Sequence, residues 1–338
     1  MTDRHLQRLL DAAVPFALPL RRTFRGVDIR EGMLIEGPAG WGEFAPFADY
    51  SPVAAARWLA SAIEAAFEGW PSPEREVVEV NAIIPALSTE QSAELAREAV
   101  ARGCRTMKIK VGGSPDLDIA RIAIVRDVLD DAYGQGVGRI RIDANAQWDL
   151  EQAIAMLERC ARYGIEYAEQ PCLSFDDLAV VRRETGVRIA VDEGIRTSDD
   201  PGSLTLADYA DIAIIKPATL GGVRASLDLI STLGLPVVVS GAMDSSVGLG
   251  TALALAGALP NLSLASGLGT GALLADDLVA TPVVPKAGVL AVERIDPDAV
   301  ALARARARVA DDAPWRERLT TAWQAGATDR MRDVLGIG

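Results

Sequence analysis

The stretch Thr106–Gly113, TMKIKVGG, alternates three apolar side chains, Met107, Ile109 and Val111, with two lysines, Lys108 and Lys110. In a strand, period two sends the apolar set to one face and both ammonium groups to the other. A solvated edge strand would explain such a pattern with no further demand. Here the run sits inside a longer repeat, and the repeat turns the lysine face inward.

From about residue 78, short apolar or β-branched runs alternate with amphipathic segments, the order expected of parallel strands joined by crossover helices. The runs are VVEVNAII, TMKIKVG, RIRIDAN, IEYAEQP, RIAVDEG, IAIIKP, PVVVSGA and LSLASGL. Seven of them close on Lys110, Asp143, Glu169, Asp192, Lys216, Ser240 and Ser266, at intervals of 33, 26, 23, 24, 24 and 26 residues, each near one strand-helix unit. Ser88 with Gln91 and Asp149 with Gln152 read as capping boxes, and Gly103, Gly134, Gly164, Gly186 and Gly234 as helix stops. The pattern predicts an α/β chain: a (β/α)8, TIM-type barrel over residues 76–275. Residues 1–75, where GMLIEGPAGWGEFAPFADYSP precedes VAAARWLASAIEAAF, predict an α+β capping lobe over the barrel mouth, completed by the tail 276–338. The segment from about Pro15 to Arg25 is expected to be a loop that closes over a ligand.

Bulk properties agree with this division. A chain of 338 residues suits a barrel of about 250 residues with an extra lobe. The formal charge of −13 opposes binding to nucleic acid or to an anionic membrane surface. Cys104, Cys160 and Cys172 lack metal-type spacing and read as reduced thiols. No cleavable leader pattern stands at the N-terminus, so a cytoplasmic location is expected. Ser245–Ala275 lacks any charge and is long enough to span a bilayer, but Pro260, Asn261 and scattered glycines predict a buried helix and then a buried strand.

In such a barrel, ionisable groups at the C-terminal strand ends face the site. Asp143, Glu169 and Asp192 end three successive strands, with Lys110 and Lys216 on the strands before and after. Three convergent carboxylates repel unless protons or a cation neutralise them, and a hard divalent ion with oxygen ligands, Mg2+ first, is the simplest neutraliser. His5 is the only histidine, so no imidazole is available in the barrel. Arg141 and Asn145 share the face of Asp143 by period two and are candidates for the same cavity, Arg141 alternatively for an ion partner behind it. Lys108 beside Lys110 would disfavour the protonated form of its neighbour and so make it a base.

Lys108 to Lys110, DAN, EQP, DEG and IIKP, in this order, resemble the enolase superfamily, specifically its muconate lactonising enzyme group, across essentially the whole chain. The resemblance implies Asp143, Glu169 and Asp192 as ligands of Mg2+, with Mn2+ as a substitute. It implies Lys110 and Lys216 as an acid/base pair on opposite faces of a small carboxylate substrate, and Glu193 as a partner behind the ligands. The shared chemistry is removal of the proton next to a carboxylate to give an enediolate. GWGEFAPFADYSP, RIDANAQW, DSSVGLG and SGLGTG resemble the branch that eliminates water from 2-succinyl-6-hydroxy-2,4-cyclohexadiene-1-carboxylate in menaquinone biosynthesis. In that branch Ser245, Ser246 and the backbone near Gly248 and Gly267 would hold the succinyl tail, although plain turn chemistry explains the serines nearly as well. Racemases of N-acylamino acids and epimerases of dipeptides are the alternatives within the group, and a non-catalytic metabolite-binding barrel is the alternative outside it. No carboxylate precedes Asp276 near the eighth run to hold an α-ammonium, which weakens the dipeptide reading.

Overall fold

A computed structural model describes residues 3–24 and 26–336. Its centre is a curled, seven-stranded parallel sheet ordered β11-β10-β9-β8-β7-β6-β5. The strands are β5 Ala82–Ile84, β6 Thr106–Lys110, β7 Arg139–Asp143, β8 Ile165–Glu169, β9 Ile189–Val191, β10 Ile212–Ile215 and β11 Val237–Val239. Helices between them cover one face: Met107, Ile109, Ile140, Ile142, Ile189, Val191, Ala213, Ile215, Val237 and Val239 join helix residues such as Ala96, Ile122, Leu157 and Leu253 in one large core. The apolar alternation of TMKIKVGG is thus spent on helix packing, and the other face of the strands points inward. Residues Asp149 and Gln152 do form a reciprocal capping box, and Ser88 accepts from the Gln91 amide.

Two of the expected eight strands differ. VVEVNAII breaks at Asn81: β4 (Val77–Glu79) leaves the sheet and pairs antiparallel with β12 (Val289–Ala291). Asn81 is fully buried, and its Oδ1 accepts from the Arg141 guanidinium at 3.0 Å, which ties the break to the sheet interior. LSLASGL makes no strand; it contributes single parallel bridges, Val80 to Ser266 and Ser240 to Gly267. Its small residues permit close approach: a Cβ on Gly267 would lie 2.7 Å from Ser240 Oγ, and one on Gly269 2.6 Å from the Asn81 carbonyl. The charge-free stretch therefore holds a buried helix, Ser246–Ala258, without the expected following strand, and no helix among the described residues is long and apolar enough to cross a membrane.

The N-terminal segment forms the antiparallel sheet β1 (Ala13–Phe24), β2 (Val27–Gly37) and β3 (Gly40–Phe44), followed by helix Pro52–Ile63. Pro15–Phe24 is thus strand and not loop, because Ala13 to Pro19 pair in register with β2; Arg25 lies outside the described residues. Met33, Ile35, Phe44, Trp58 and Leu59 share one core with Leu319, Trp323, Met331 and Leu335 of the C-terminal helices. The two ends of the chain bury each other's apolar faces. Cys104, Cys160 and Cys172 are buried and free.

Candidate active site

The parallel register sets the site. Lys110 pairs with Asp143 across β6 and β7, and Asp143 with Glu169 across β7 and β8, so the polar strand ends stand side by side. Lys108 Nζ donates to both oxygens of Glu169, at 2.7 and 2.8 Å, and lies 3.1 Å from Asp143 Oδ2. Lys110 Nζ reaches the same Asp143 oxygen at 2.6 Å and Asn145 Oδ1 at 2.8 Å. Lys216 Nζ donates to Asp192 Oδ2 at 2.6 Å. The two lysines of TMKIKVGG do converge, and what they converge on is Asp143.

Burial makes these pairs strong and sets their protonation. Burial pushes Asp143 up, but Lys110 and Lys108 outweigh it and hold the carboxyl well below its usual range. Burial and the nearby Asp143 charge push Glu169 up to about 7 against the pull of Lys108. Burial raises Asp192 too, yet Lys216 and Arg196 leave it lowered. For Lys108, burial favours the neutral amine, but Glu169 and Asp143 win and hold it well above the ordinary lysine value. Lys108 is therefore a fixed cation beside Lys110.

As they stand, no three Asp, Glu, His or Cys groups among the described residues close around one point suited to a metal ion, because the three ammonium groups lie among the carboxylates. The donor set nevertheless fits a hard divalent cation: three buried carboxylates, with Asp192 Oδ1 lacking a hydrogen-bond partner. Asn145, in the left-handed region at φ 48°, turns Nδ2 to Glu193 Oε1 at 3.1 Å. Glu193 also accepts from Arg196 at 2.7 Å, and Arg196 donates to the Tyr50 hydroxyl at 2.8 Å.

Other sequence candidates lie elsewhere. Arg141 is wholly buried but one layer deeper, donating to Glu166 Oε2 at 2.6 Å and to the Ala265 carbonyl at 2.6 Å, with its guanidinium 4.8 Å from the Tyr167 ring. It bonds none of the three carboxylates at the strand ends. The Ser245 and Ser246 hydroxyls are also engaged: Ser245 Oγ donates to Glu43 at 2.5 Å and caps the helix that follows, and Ser246 Oγ donates to Asp277 at 2.6 Å. Both hydroxyls are thus held by carboxylates distant in sequence, and Ser245 also serves as a helix cap. Gly248 packs against Glu43, where a Cβ would meet the carboxylate at 2.6 Å, and Gly267 bridges to Ser240.

A cavity of about 40 Å³ is lined by Lys108, Lys110, Asp143, Asn145 and Lys216 together with Ile83, Ser240, Gly241, Ala242, Met243 and Thr270. Gly241, Ala242, Met243 and Thr270 do not stand out in the sequence because they carry no charge; their place just past a strand end is the signal that could have found them. Gln170 was missed as well: its Oε1 accepts from the amides of Asp192 and Gly194 at 3.0 and 3.1 Å and so fixes the neighbouring strand end. Larger hollows of about 500 and 770 Å³ hold none of the converging lysines and carboxylates.

Residues 15–66 match the family model described as enolase N-terminal domain-like, and residues 91–299 the one described as enolase C-terminal domain-like. An o-succinylbenzoate synthase of Thermobifida fusca is 48% identical over 310 residues, which cover 91% of this chain and 94% of that protein. One of Mycolicibacterium smegmatis is 46% identical over 303 residues, 88% of this chain and 91% of that protein. Among solved structures, muconate lactonizing enzyme from Pseudomonas fluorescens, complexed with muconolactone, superposes with a TM-score of 0.72 at 19% identity, over 87% of this chain and 97% of that one; this likeness concerns the fold. The chain belongs to the enolase superfamily, within the family of the o-succinylbenzoate synthases.

Proposed function

We propose that this protein is a hydro-lyase that converts 2-succinyl-6-hydroxy-2,4-cyclohexadiene-1-carboxylate to o-succinylbenzoate, a step of menaquinone biosynthesis. The observation that carries the reading is one cavity lined by Lys108, Lys110, Lys216 and Asp143, with Glu169 ion-paired to Lys108 and Asp192 to Lys216. The identity of 46–48% to synthases over about nine-tenths of the chain supports the choice of substrate.

Lys110, as the free amine, takes the proton from the ring carbon that bears the carboxylate. The same nitrogen then returns that proton to the hydroxyl on the adjacent carbon; the C–O bond breaks, the ring double bond forms and water leaves. Lys216 stays cationic and balances the negative charge that develops on the carboxylate. Lys108, held as a cation by Glu169 and Asp143, stands beside Lys110. Asp143, Glu169 and Asp192 would hold Mg2+ or Mn2+, which supplies Lewis-acid stabilisation of the substrate carboxylate. Glu193 and Asn145 would orient Asp143 and Lys110 from behind.

The single bridges from Ser266 and Gly267 to Val80 and Ser240 support a barrel closed by its eighth, strandless segment. The shared core of the chain ends supports a capping lobe of residues 1–75 and 276–338 over a barrel of 76–275. A cytoplasmic location accords with these assignments. Asp276 is engaged by Arg304 and Arg308 and the neighbouring Asp277 by Ser246, which argues against either acid holding an α-ammonium and so against dipeptide epimerisation.

The test is turnover of the cyclohexadiene with Mg2+, abolished by EDTA and restored by Mg2+; turnover indifferent to chelation would overturn the proposal. A panel of N-succinyl amino acids in deuterium oxide supplies the competing outcome, since α-exchange at rates equal to dehydration would make racemisation the principal activity.

A further inference from the structure

A long arc of the cavity wall belongs to the loop after β11, and that loop is held from outside by the N-terminal lobe. Ser240, Gly241, Ala242 and Met243 line the cavity, whereas no described residue before Ile83 does. Met243 adopts φ 61°, a left-handed conformation that costs energy for a residue with a side chain. Its neighbours hold it there. Asp244 Oδ2 accepts from the Ala242 amide at 2.8 Å, the Met243 carbonyl accepts from Arg30 Nε at 3.1 Å, and Ser245 donates to Glu43 Oε2 through N and Oγ at 3.2 and 2.5 Å.

The lobe side of this contact is itself rigid. Arg30 also donates to the Ala45 carbonyl, and its guanidinium lies 4.3 Å from the Phe47 ring. Arg30 and Glu43 are both buried, and so is Asp244, so three ionisable groups have been taken out of water at a junction between two parts of the chain. Buried charge of this kind is poor at adding stability and better suited to fixing one arrangement.

We infer that Arg30 and Glu43 are positioning residues that hold the Met243 loop in the form that receives substrate. The inference rests on the reaction proposed above for the identity of the substrate alone.

Steady-state dehydration kinetics of R30M, R30K, E43A and E43Q test it, with R57M as control; Arg57 donates to the Ser198 carbonyl at 2.7 Å, a lobe contact that does not touch the cavity. R30M and E43A should raise KM about tenfold or more, the loss expected of a charge-assisted hydrogen bond, with kcat within about threefold of wild type. R30K and E43Q, which keep a donor and an acceptor, should recover much of that loss, and R57M should leave KM unchanged. Hydrogen exchange over residues 240–248 should quicken in R30M and E43A and not in R57M. Wild-type protein inert toward the cyclohexadiene would sink the reaction and leave the exchange result to decide the loop. Unchanged exchange and unchanged KM in folded R30M or E43A would overturn the inference, and E43A decides if R30M fails to fold.

Discussion

On β8 to β11 the inner face of the parallel sheet carries two layers of opposite chemistry, whereas on β6 and β7 the deeper layer holds Lys108 and Arg141. Tyr167, Ala190, Ile214 and Val238 belong to a buried apolar cluster, and two residues further along come Glu169, Asp192, Lys216 and Ser240. Period two places both sets on one face, so a single step of about 7 Å along each strand separates a packed plug from an ionic site. The plug gains stability from area removed from water; the ionic layer repays its desolvation only through its internal pairs. One layer should therefore govern folding and the other chemistry.

Replacing Lys110 by Ala is the strongest way to break this division. Turnover should fall by about a thousandfold, as for loss of a general acid/base. Stability should change little, because Asp143 keeps Lys108 at 3.1 Å. A variant with near-normal kcat would remove Lys110 from the proposed role, and one that did not fold would make the ionic layer structural.

Ile214→Ala probes the other layer. Loss of the buried side chain should destabilise the protein by about 3 kcal/mol in urea denaturation, with kcat of the folded enzyme within about threefold of wild type. A large loss of kcat at unchanged stability would mean that the plug acts on the chemistry after all.

The smallest effect concerns charge buried outside both layers. Burial, with Asp244 adding to it, lifts the Glu43 carboxyl from 4.5 to about 7 against the pull of Arg30. The folded state then binds this proton more tightly than the unfolded chain, so the contribution of Glu43 to stability falls as pH rises from 4.5 to about 7. E43Q should lose less stability than wild type over that range, by on the order of 1 kcal/mol in denaturation measured at several pH values. Parallel pH profiles for the two proteins would show that Glu43 does not titrate there.

The ionic layer was the more legible one in sequence, since a charge at the end of an apolar run is visible without knowledge of its neighbours. Lys110, Asp143, Glu169, Asp192 and Lys216, which the structure brings together, all stand out in this way. The pairing of Lys108 with Glu169 does not, because register between strands 61 residues apart decides it. Nor do the partners of Ser245 and Ser246, because Glu43 and Asp277 lie 202 and 31 positions away and leave no local trace. The eighth run failed as a strand for a steric reason: its glycines and serines suit close approach to Ser240 and Asn81 better than a ladder. Asn81 likewise hid a break within VVEVNAII, since only the buried Arg141 guanidinium explains a polar residue there.

The set of three lysines and three carboxylates has one more consequence. Counted as ionised, Lys108, Lys110 and Lys216 match Asp143, Glu169 and Asp192 charge for charge, so the ammonium groups act as internal counterions. On the proposed reading, a divalent cation held by the three carboxylates would take over that role and, with Lys110 as the free amine, leave the site with a surplus positive charge. The proposed substrate carries two carboxylates, one on the ring and one on the succinyl tail. Loading would then be ordered by charge alone, cation before dianion.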